Sequence, residues 1–91
     1  MGMLVGYIST TYHILVETFG FPNVGPNESG KSTCEWWIKN SNDDIISIYD
    51  WKNERTPIFE KYDWHIGGTS QEDLDYINAR LSPTNDRMIE R

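Results

Sequence analysis

Four short stretches of the chain are rich in apolar, aromatic and β-branched residues and predict β-strands. They are Met3–Ile8, Cys34–Lys39, Ile45–Lys52 and Tyr62–Ile66. Two further stretches carry apolar residues at the three- and four-residue spacing of an amphipathic helix. We therefore predict the order β-α-β-β-β-α, an α+β fold in which two helices pack on one side of a small antiparallel sheet of three to four strands.

The first predicted helix follows the first strand directly. Its apolar stripe consists of Tyr12, Leu15, Val16 and Phe19. The hydroxyl side chains of residues 9–11 are suited to cap its amino end. Gly20 provides the left-handed conformation in which helices often end, and Pro22 prevents continuation.

The second predicted helix carries Leu74, Ile77 and Leu81 on its apolar stripe. Residues 69–72 read Thr-Ser-Gln-Glu, the pattern of a capping box at a helix start. Pro83 cannot donate a backbone hydrogen bond, so we predict that this helix ends near Ser82-Pro83.

Residues 40–44 are polar and predict a tight turn between the two central strands. Such a turn pairs Ile38 with Ile46 and Trp36 with Ile48. One face of this hairpin then carries the residues of the core, which are Cys34, Trp36, Ile38, Ile46 and Ile48. The other face carries Trp37, Ser47, Tyr49 and Trp51, and its aromatics need cover from another element or from a partner.

The chain has 91 residues, a length typical of one domain. We predict a single α+β domain over residues 1–82 and a frayed C-terminal tail over residues 83–91. Cys34 is the only cysteine, which excludes an internal disulfide and favours a reducing, cytoplasmic setting. No apolar run reaches the roughly 20 residues that span a membrane, so we expect no membrane association.

Acidic residues outnumber basic ones, 14 against 8, which gives a net charge of −6. The excess lies within residues 43–75, where nine acidic side chains accompany three basic ones. Direct binding to nucleic acid normally needs a basic surface, so we expect none. A basic protein surface is a suitable partner, and a solvated acidic face that keeps a small domain soluble is the alternative interpretation.

The segment Gly25–Thr33 reads GPNESGKST and matches the phosphate-binding consensus G-x-x-x-x-G-K-[ST]. It resembles the P-loop of ABC-type ATPases, and the resemblance implies a phosphate held by backbone N–H groups and a lysine. Its context differs, because residues 21–24 lack a strand's apolar run and the residues after Thr33 favour a strand over a helix. We therefore predict no NTPase, and keep a nucleotide- or phosphate-binding loop as the alternative function. That loop would use Gly30, Lys31 and Ser32.

Asp63 and His65 lie two positions apart and share one face of a strand. Such a pair can orient a general base, and Asp50 would extend it towards a metal site. No serine or cysteine nucleophile accompanies the pair, so an exposed or hydrogen-bonded histidine is the simpler interpretation. We expect no catalytic residue, no metal and no cofactor, and keep an Asp63/His65 enzyme as a third hypothesis.

Aromatic residues are abundant, with four Trp, five Tyr and three Phe. Trp and Tyr contribute strongly to protein–protein binding, and several of them alternate with acidic residues here. The expected partner-binding set is Trp37, Tyr49, Asp50, Trp51, Glu54, Glu60, Tyr62, Asp63 and Trp64. The alternative is that most of these aromatics complete the core of a small domain.

The tripeptide Tyr-Asp-Trp occurs twice, at residues 49–51 and 62–64. If both copies lie on strands, the two aromatics of each copy point to one face of the sheet and the aspartate points to the other.

Size, acidity and aromatic content together resemble those of small bacteriophage-encoded anti-defence proteins, including anti-CRISPR proteins. The resemblance implies a non-enzymatic inhibitor that engages a basic nucleic-acid-binding protein, such as a CRISPR-Cas nuclease, in the host-cell cytoplasm. The acidic segment 43–75 would then steer association and the aromatic residues would anchor the contact. The chain would act as a monomer or a homodimer.

Overall fold

The computed structural model describes residues 3–25, 32–53 and 55–89, and of residues 84–89 it describes the backbone alone. The elements are β1 (Met3–Thr10), α1 (Tyr12–Phe19), β2 (Glu35–Lys39), β3 (Ile45–Tyr49), β4 (Tyr62–Gly68) and α2 (Gln71–Ile89). The predicted order β-α-β-β-β-α and the α+β class are confirmed.

The four strands form one sheet in the order β1-β4-β3-β2, and every neighbouring pair is antiparallel. The predicted hairpin register is confirmed, with Trp36 opposite Ile48 and Ile38 opposite Ile46. Its turn closes through Asn40, whose backbone N–H donates to the Asp44 carbonyl at 2.9 Å. The Asn40 side-chain oxygen accepts from the Asp44 N–H at 3.0 Å, so this asparagine fixes both sides of the turn.

The strands extend differently from the prediction. β1 continues to Thr10 and β4 to Gly68, whereas β3 stops at Tyr49 and does not include Lys52. Lys52 has a positive φ of 57°, which is incompatible with an extended strand. β1 also contains a bulge between Leu4 and Gly6.

Both helices pack against one side of the sheet, which we call the core face. The buried residues of this layer are Ile8, Ile14, Leu15, Cys34, Trp36, Ile46, Ile48, Trp64, Ile66, Ile77 and Leu81. The rings of Trp36 and Trp64 meet edge to face with centroids 5.5 Å apart, which places two large aromatic side chains at the centre of the core. Gly6 allows α2 to approach, since a Cβ there would lie 2.7 Å from the Leu74 side chain.

Helix α1 has the predicted boundaries. The Thr11 hydroxyl caps the amino end by accepting from the Ile14 N–H at 3.1 Å. At the other end Gly20 adopts a φ of 87° and its N–H donates to the Val16 carbonyl.

Helix α2 begins where predicted, but the acidic residue that caps its amino end is not the predicted one. The carboxylate that reaches back is that of Asp73, which accepts from the Thr69 N–H at 2.8 Å, whereas Glu72 is exposed. Asp73 also accepts from the Asn40 side chain at 2.9 Å and so ties the β2–β3 turn to the helix start. These hydrogen bonds, led by the one from Thr69, lower the pKa of Asp73.

The predicted end of α2 near Ser82-Pro83 is wrong, because the helix continues through Pro83 to Ile89. A proline removes one backbone donor but does not prevent the residues after it from adopting helical dihedrals. The division into a domain over residues 1–82 and a tail over residues 83–91 stays a prediction.

Candidate functional site

The side of the sheet opposite the helices, which we call the open face, is not covered by any helix or strand among the described residues. Tyr7 is 54% exposed and Trp37 is 52% exposed, and both project from this face. Single exposed apolar side chains are ordinary on protein surfaces, whereas several of them together on one face are typical of an interaction site. The open face is therefore the candidate functional site.

One row of side chains crosses the whole open face. Tyr7 on β1 lies opposite His65 on β4, which lies opposite Tyr49 on β3, which lies opposite Glu35 on β2. Direct partners on antiparallel strands point to the same side of a sheet. Each strand thus supplies one member of a continuous aromatic and polar row.

Four rings of this region form a connected cluster, which we call the aromatic patch: Tyr7, Tyr49, Trp51 and His65. His65 is at its centre, with ring centroids 4.8 Å from Tyr7, 5.3 Å from Tyr49 and 6.2 Å from Trp51. These separations lie within the range of favourable aromatic contacts. The patch is therefore held in place by mutual ring contacts before any partner arrives.

Trp37 lies beside the patch and is oriented by a neighbouring carboxylate. Its indole N–H donates to Glu35 at 2.7 Å, a short contact to a charged acceptor. Its backbone N–H donates to the Asn23 side chain at 2.8 Å. An exposed tryptophan and an acidic group are thus fixed next to each other at the β2 edge.

The first Tyr-Asp-Trp copy turns its aromatics to the open face. Tyr49 and Trp51 belong to the aromatic patch, as expected, but Asp50 points to the core face and is completely buried. The expectation that Asp50 contacts a partner is therefore wrong. Alternation along the strand places Asp50 on the opposite side from its two aromatic neighbours, as predicted for the tripeptide.

Asp50 holds together the segments that leave β3 and enter β2. Its carboxylate accepts from the Thr33 N–H at 2.7 Å, from the Thr33 hydroxyl at 2.6 Å and from the Asn53 side chain at 3.2 Å. The Cys34 N–H adds a longer contact at 3.3 Å. A buried carboxylate is tolerated where several donors surround it, which is the case here.

The second Tyr-Asp-Trp copy has the opposite orientation. Trp64 is completely buried in the core and donates its indole N–H to the Thr10 carbonyl at 3.1 Å, so its assignment to a binding surface is wrong. Tyr62 packs against Trp64 on the same side with a ring separation of 5.1 Å. Asp63 is exposed on the open face.

The two remaining acidic residues of the predicted partner-binding set are Glu60 and Glu54. Glu60 is exposed, whereas Glu54 lies outside the described residues. Of the predicted acids, Asp63 lies on the open face next to the aromatic patch, and Glu35, which is not in the predicted set, lies on the same face. Lys39 is a basic residue on the same face of β2.

Asp63 and His65 share a strand face as predicted, but His65 is surrounded by rings. Its Nδ1 atom is buried and has no hydrogen-bond partner among the described residues. Burial lowers the pKa of His65, an effect only partly opposed by Asp50, so the ring is neutral at neutral pH. No group of three or more His, Cys, Asp or Glu among the described residues is placed to hold a metal ion.

The surroundings of the P-loop-like segment Gly25–Thr33 differ from those of a P-loop. The element that follows Thr33 is strand β2 and not a helix. Val24, the residue before the segment, forms an isolated β-bridge with Glu35. Ser32 is buried, at 3% exposure, while Gly30 and Lys31 lie outside the described residues.

Cys34 is buried, as its position on the core face predicted. Burial, together with the nearby Asp50 carboxylate, raises the pKa of its thiol to about 11. A thiol with such a pKa stays protonated at neutral pH and is a poor nucleophile.

Two residues of the aromatic patch are absent from the predicted set. Tyr7 alternates with the buried Ile8, a signal that already indicated an outward position. The predictions for His65 are a general base, part of a metal site, or an exposed or hydrogen-bonded histidine; none of them places it in an aromatic cluster, although it alternates with Trp64 and Ile66. Their proximity depends on the pairing of β1 with β4, which joins residues more than 50 positions apart and leaves no local trace in the sequence.

Comparison of the chain with protein-family models, with curated proteins and with solved structures finds no match. Among the described residues, no helix is long and apolar enough to cross a membrane.

Proposed function

We propose that this chain is a non-enzymatic inhibitor that binds a basic, nucleic-acid-binding protein through the open face. The observation that carries the proposal is a partly exposed, preorganised aromatic patch, bordered by Glu35 and Asp63, on the face of the sheet that no described helix or strand covers. Clustered Trp and Tyr side chains are typical of the centres of protein interfaces, where a few anchors contribute most of the affinity.

The charge of the molecule indicates the kind of partner. A net charge of −6 on 91 residues repels nucleic acid and attracts a basic protein surface. A chain that covers such a surface competes with the nucleic acid that would otherwise occupy it. A phage-defence nuclease in the host cytoplasm, the target implied by the resemblance to anti-CRISPR proteins, has a surface of this chemistry.

Two observations support a binding role over catalysis. Within residues 3–25, 32–53 and 55–83, no side chain or backbone group hydrogen-bonds the Nδ1 atom of His65, so none of them orients it as a general base in the way that a catalytic pair requires. The buried Cys34 thiol is protonated and has only 4% exposure, which removes it as a nucleophile.

The contacts of Thr33 weigh against the phosphate-binding alternative. Thr33, the residue that follows the consensus lysine and serine, donates both its N–H and its hydroxyl to Asp50, so a buried carboxylate lies at the end of the loop. A second anion beside this carboxylate would be repelled. Calorimetry with a panel of nucleotides, with Lys31→Ala as control, tests this alternative, and saturable binding that the substitution abolishes would establish it.

The proposed function is tested by capture and competition. The immobilised protein and a Tyr7→Ala/Trp51→Ala variant are exposed to bacterial lysate, and captured proteins are identified by mass spectrometry. We expect a nucleic-acid-binding protein that the wild type retains and the variant does not, and that releases its DNA or RNA when the wild-type protein is added. A captured protein that keeps its nucleic acid and binds both forms equally would contradict the proposal.

A further inference from the structure

The aromatic patch combines two properties that select a cation. Its rings present neutral π-surfaces, and carboxylates lie at both ends of the region, with Glu35 adjoining Tyr49 across the strand pair and Asp63 two positions from His65. Cations bind over aromatic faces and next to carboxylates, whereas an anionic ligand would be repelled by both acids.

The centre of the patch stays uncharged. His65 has a buried Nδ1 without a partner in the part of the chain that the structure describes, so a proton added there would find no acceptor among these residues. A neutral imidazole between two tyrosines extends the π-surface, whereas an imidazolium would repel a bound cation. The geometry of the ring cluster thus keeps the site suitable for positive ligands.

A depression adjoins the patch on the β1–β4 side. It has a volume of about 490 Å³ and is lined by Tyr7, Lys61, Tyr62, Asp63 and His65. Its lining includes one acidic residue, Asp63, and one basic residue, Lys61. A cationic ligand must therefore donate hydrogen bonds to the Asp63 carboxylate and place its charge at a distance from the Lys61 ammonium. A planar group that stacks on Tyr7 and reaches Asp63 meets this requirement.

Among protein side chains, arginine has this chemistry. Its guanidinium is planar, remains charged, stacks on aromatic rings and donates two parallel hydrogen bonds to a carboxylate. Lysine carries the same charge, but as a compact, strongly hydrated ammonium that does not stack. The site should therefore distinguish the two cations by more than their charge.

We infer that the aromatic patch binds an arginine side chain of the partner, stacked on its rings and paired with Asp63 or Glu35. The inference rests on the proposed function, because it specifies which group of the basic partner provides the anchor at the open face.

The experiment compares hexa-arginine and hexa-lysine peptides, which carry equal charge, in NMR titrations of the full chain. The signals followed are the Trp51 indole N–H and the His65 imidazole. We expect hexa-arginine to bind about two- to fivefold more tightly than hexa-lysine and to shift both signals. Equal affinities of the two peptides, or shifts confined to other parts of the molecule, would overturn the inference.

Variants locate the selectivity. Trp51→Ser and Tyr7→Ser should bring the affinity ratio of the two peptides close to one, while His13→Ala on α1 should leave it unchanged. Glu35→Gln should weaken hexa-arginine by up to about fivefold. Each variant is used only if its spectrum shows the wild-type fold, and selectivity that survives both serine substitutions would contradict the inference.

The two proposals fail separately. If the peptides bind equally but the captured protein still depends on the open face and loses its nucleic acid, the arginine anchor is wrong and the proposed function stands. If arginine selectivity is observed but no captured protein releases nucleic acid, the proposed function is wrong and the site remains.

Discussion

The two Tyr-Asp-Trp copies have the same sequence and opposite positions in the fold. In residues 49–51 the aromatics belong to the open face and the aspartate is buried, whereas in residues 62–64 the aromatics are in or against the core and the aspartate is exposed. Tyr49 lies opposite His65 and not opposite Trp64, so the two copies differ by one step of strand alternation.

The difference teaches that burial here follows from strand register and not from residue type. A tryptophan is completely buried in the core at position 64, whereas a tryptophan at position 51 is partly exposed on the open face. The aspartates differ in the same way. Asp50 accepts hydrogen bonds in the protein interior, whereas Asp63 is exposed beside the aromatic patch. Equivalent substitutions in the two copies should therefore separate stability from binding.

The largest expected difference is between the two tryptophans. Trp64→Ala removes a fully buried indole and its hydrogen bond to Thr10, and should lower the free energy of unfolding by about 3–5 kcal/mol. Trp51→Ala removes a ring that is 38% exposed and should cost less, about 1–2 kcal/mol, from its aromatic contacts and its partial burial. Urea denaturation followed by circular dichroism measures both.

If Trp64→Ala leaves no folded protein, Trp64→Phe provides the graded version, with a smaller loss in the same direction. Equal destabilisation by the two alanine substitutions would show that the two copies do not occupy different environments.

The aspartates should differ next. Asp50→Ala leaves the Thr33 N–H and the Asn53 amide without their acceptor and should cost about 2–4 kcal/mol. Asp63→Ala changes an exposed side chain and should alter stability by no more than about 0.5 kcal/mol. Thermal unfolding of the two variants checks the order, and a larger loss for Asp63→Ala would contradict it.

A smaller difference is expected between the tyrosine hydroxyls. The Tyr62 hydroxyl accepts from the Trp51 backbone N–H at 3.0 Å, so Tyr62→Phe should cost about 1 kcal/mol. Tyr49→Phe keeps the ring of the aromatic patch and should change stability less. Chemical denaturation of the two single variants and of the double variant measures the difference in free energy of unfolding. A greater loss for Tyr49→Phe would show that the Tyr62 hydroxyl is not the more stabilising of the two.

The smallest expected effect is the response of the aromatic patch to acid. Because the pKa of His65 is lowered from 6.5 in the folded protein, the unfolded chain binds the proton more readily. Stability should therefore fall as the pH drops below about 6.5, until the folded pKa is reached. Asp73, whose pKa is lowered from 3.8, contributes its own loss only at lower pH, near its folded pKa.

Unfolding curves of the wild type and of His65→Gln between pH 7.5 and pH 5, a range chosen around the value for free histidine, isolate this effect. The substitution should flatten the decline below about pH 6.5. Parallel curves for the two proteins would show that His65 does not contribute.

The sequence predicted what depends on neighbours along the chain. The turn at residues 40–44 set the register of β2 and β3 and therefore the faces of Trp36 and Trp37. The cap of α1 at Thr11 and its end at Gly20 also rest on local chemistry. These features could be predicted because a few adjacent residues determine them.

The remaining features depend on distant residues. Tyr7 and His65 meet only when β1 pairs with β4, and Asp50 is buried because Thr33, 17 positions away, satisfies its carboxylate. The burial of Trp64, in contrast, could be predicted from the sequence. Along the strand Trp64 alternates with the polar residues Asp63 and His65 and points to the same side as Ile66. This alternation indicates that Trp64 belongs to the core, and it is a better predictor of the position of Trp64 than the abundance of aromatic residues in the chain.

The central claim, that the open face is the interaction surface, is tested most directly by calorimetry with the captured partner. Three proteins are compared: the wild type, Tyr7→Ala/Trp51→Ala on the open face, and His13→Ala on the exposed side of α1. Removal of two anchors should weaken binding by at least about 30-fold, while the helix variant binds like the wild type. An open-face variant that keeps wild-type affinity, with its fold intact, would contradict the account.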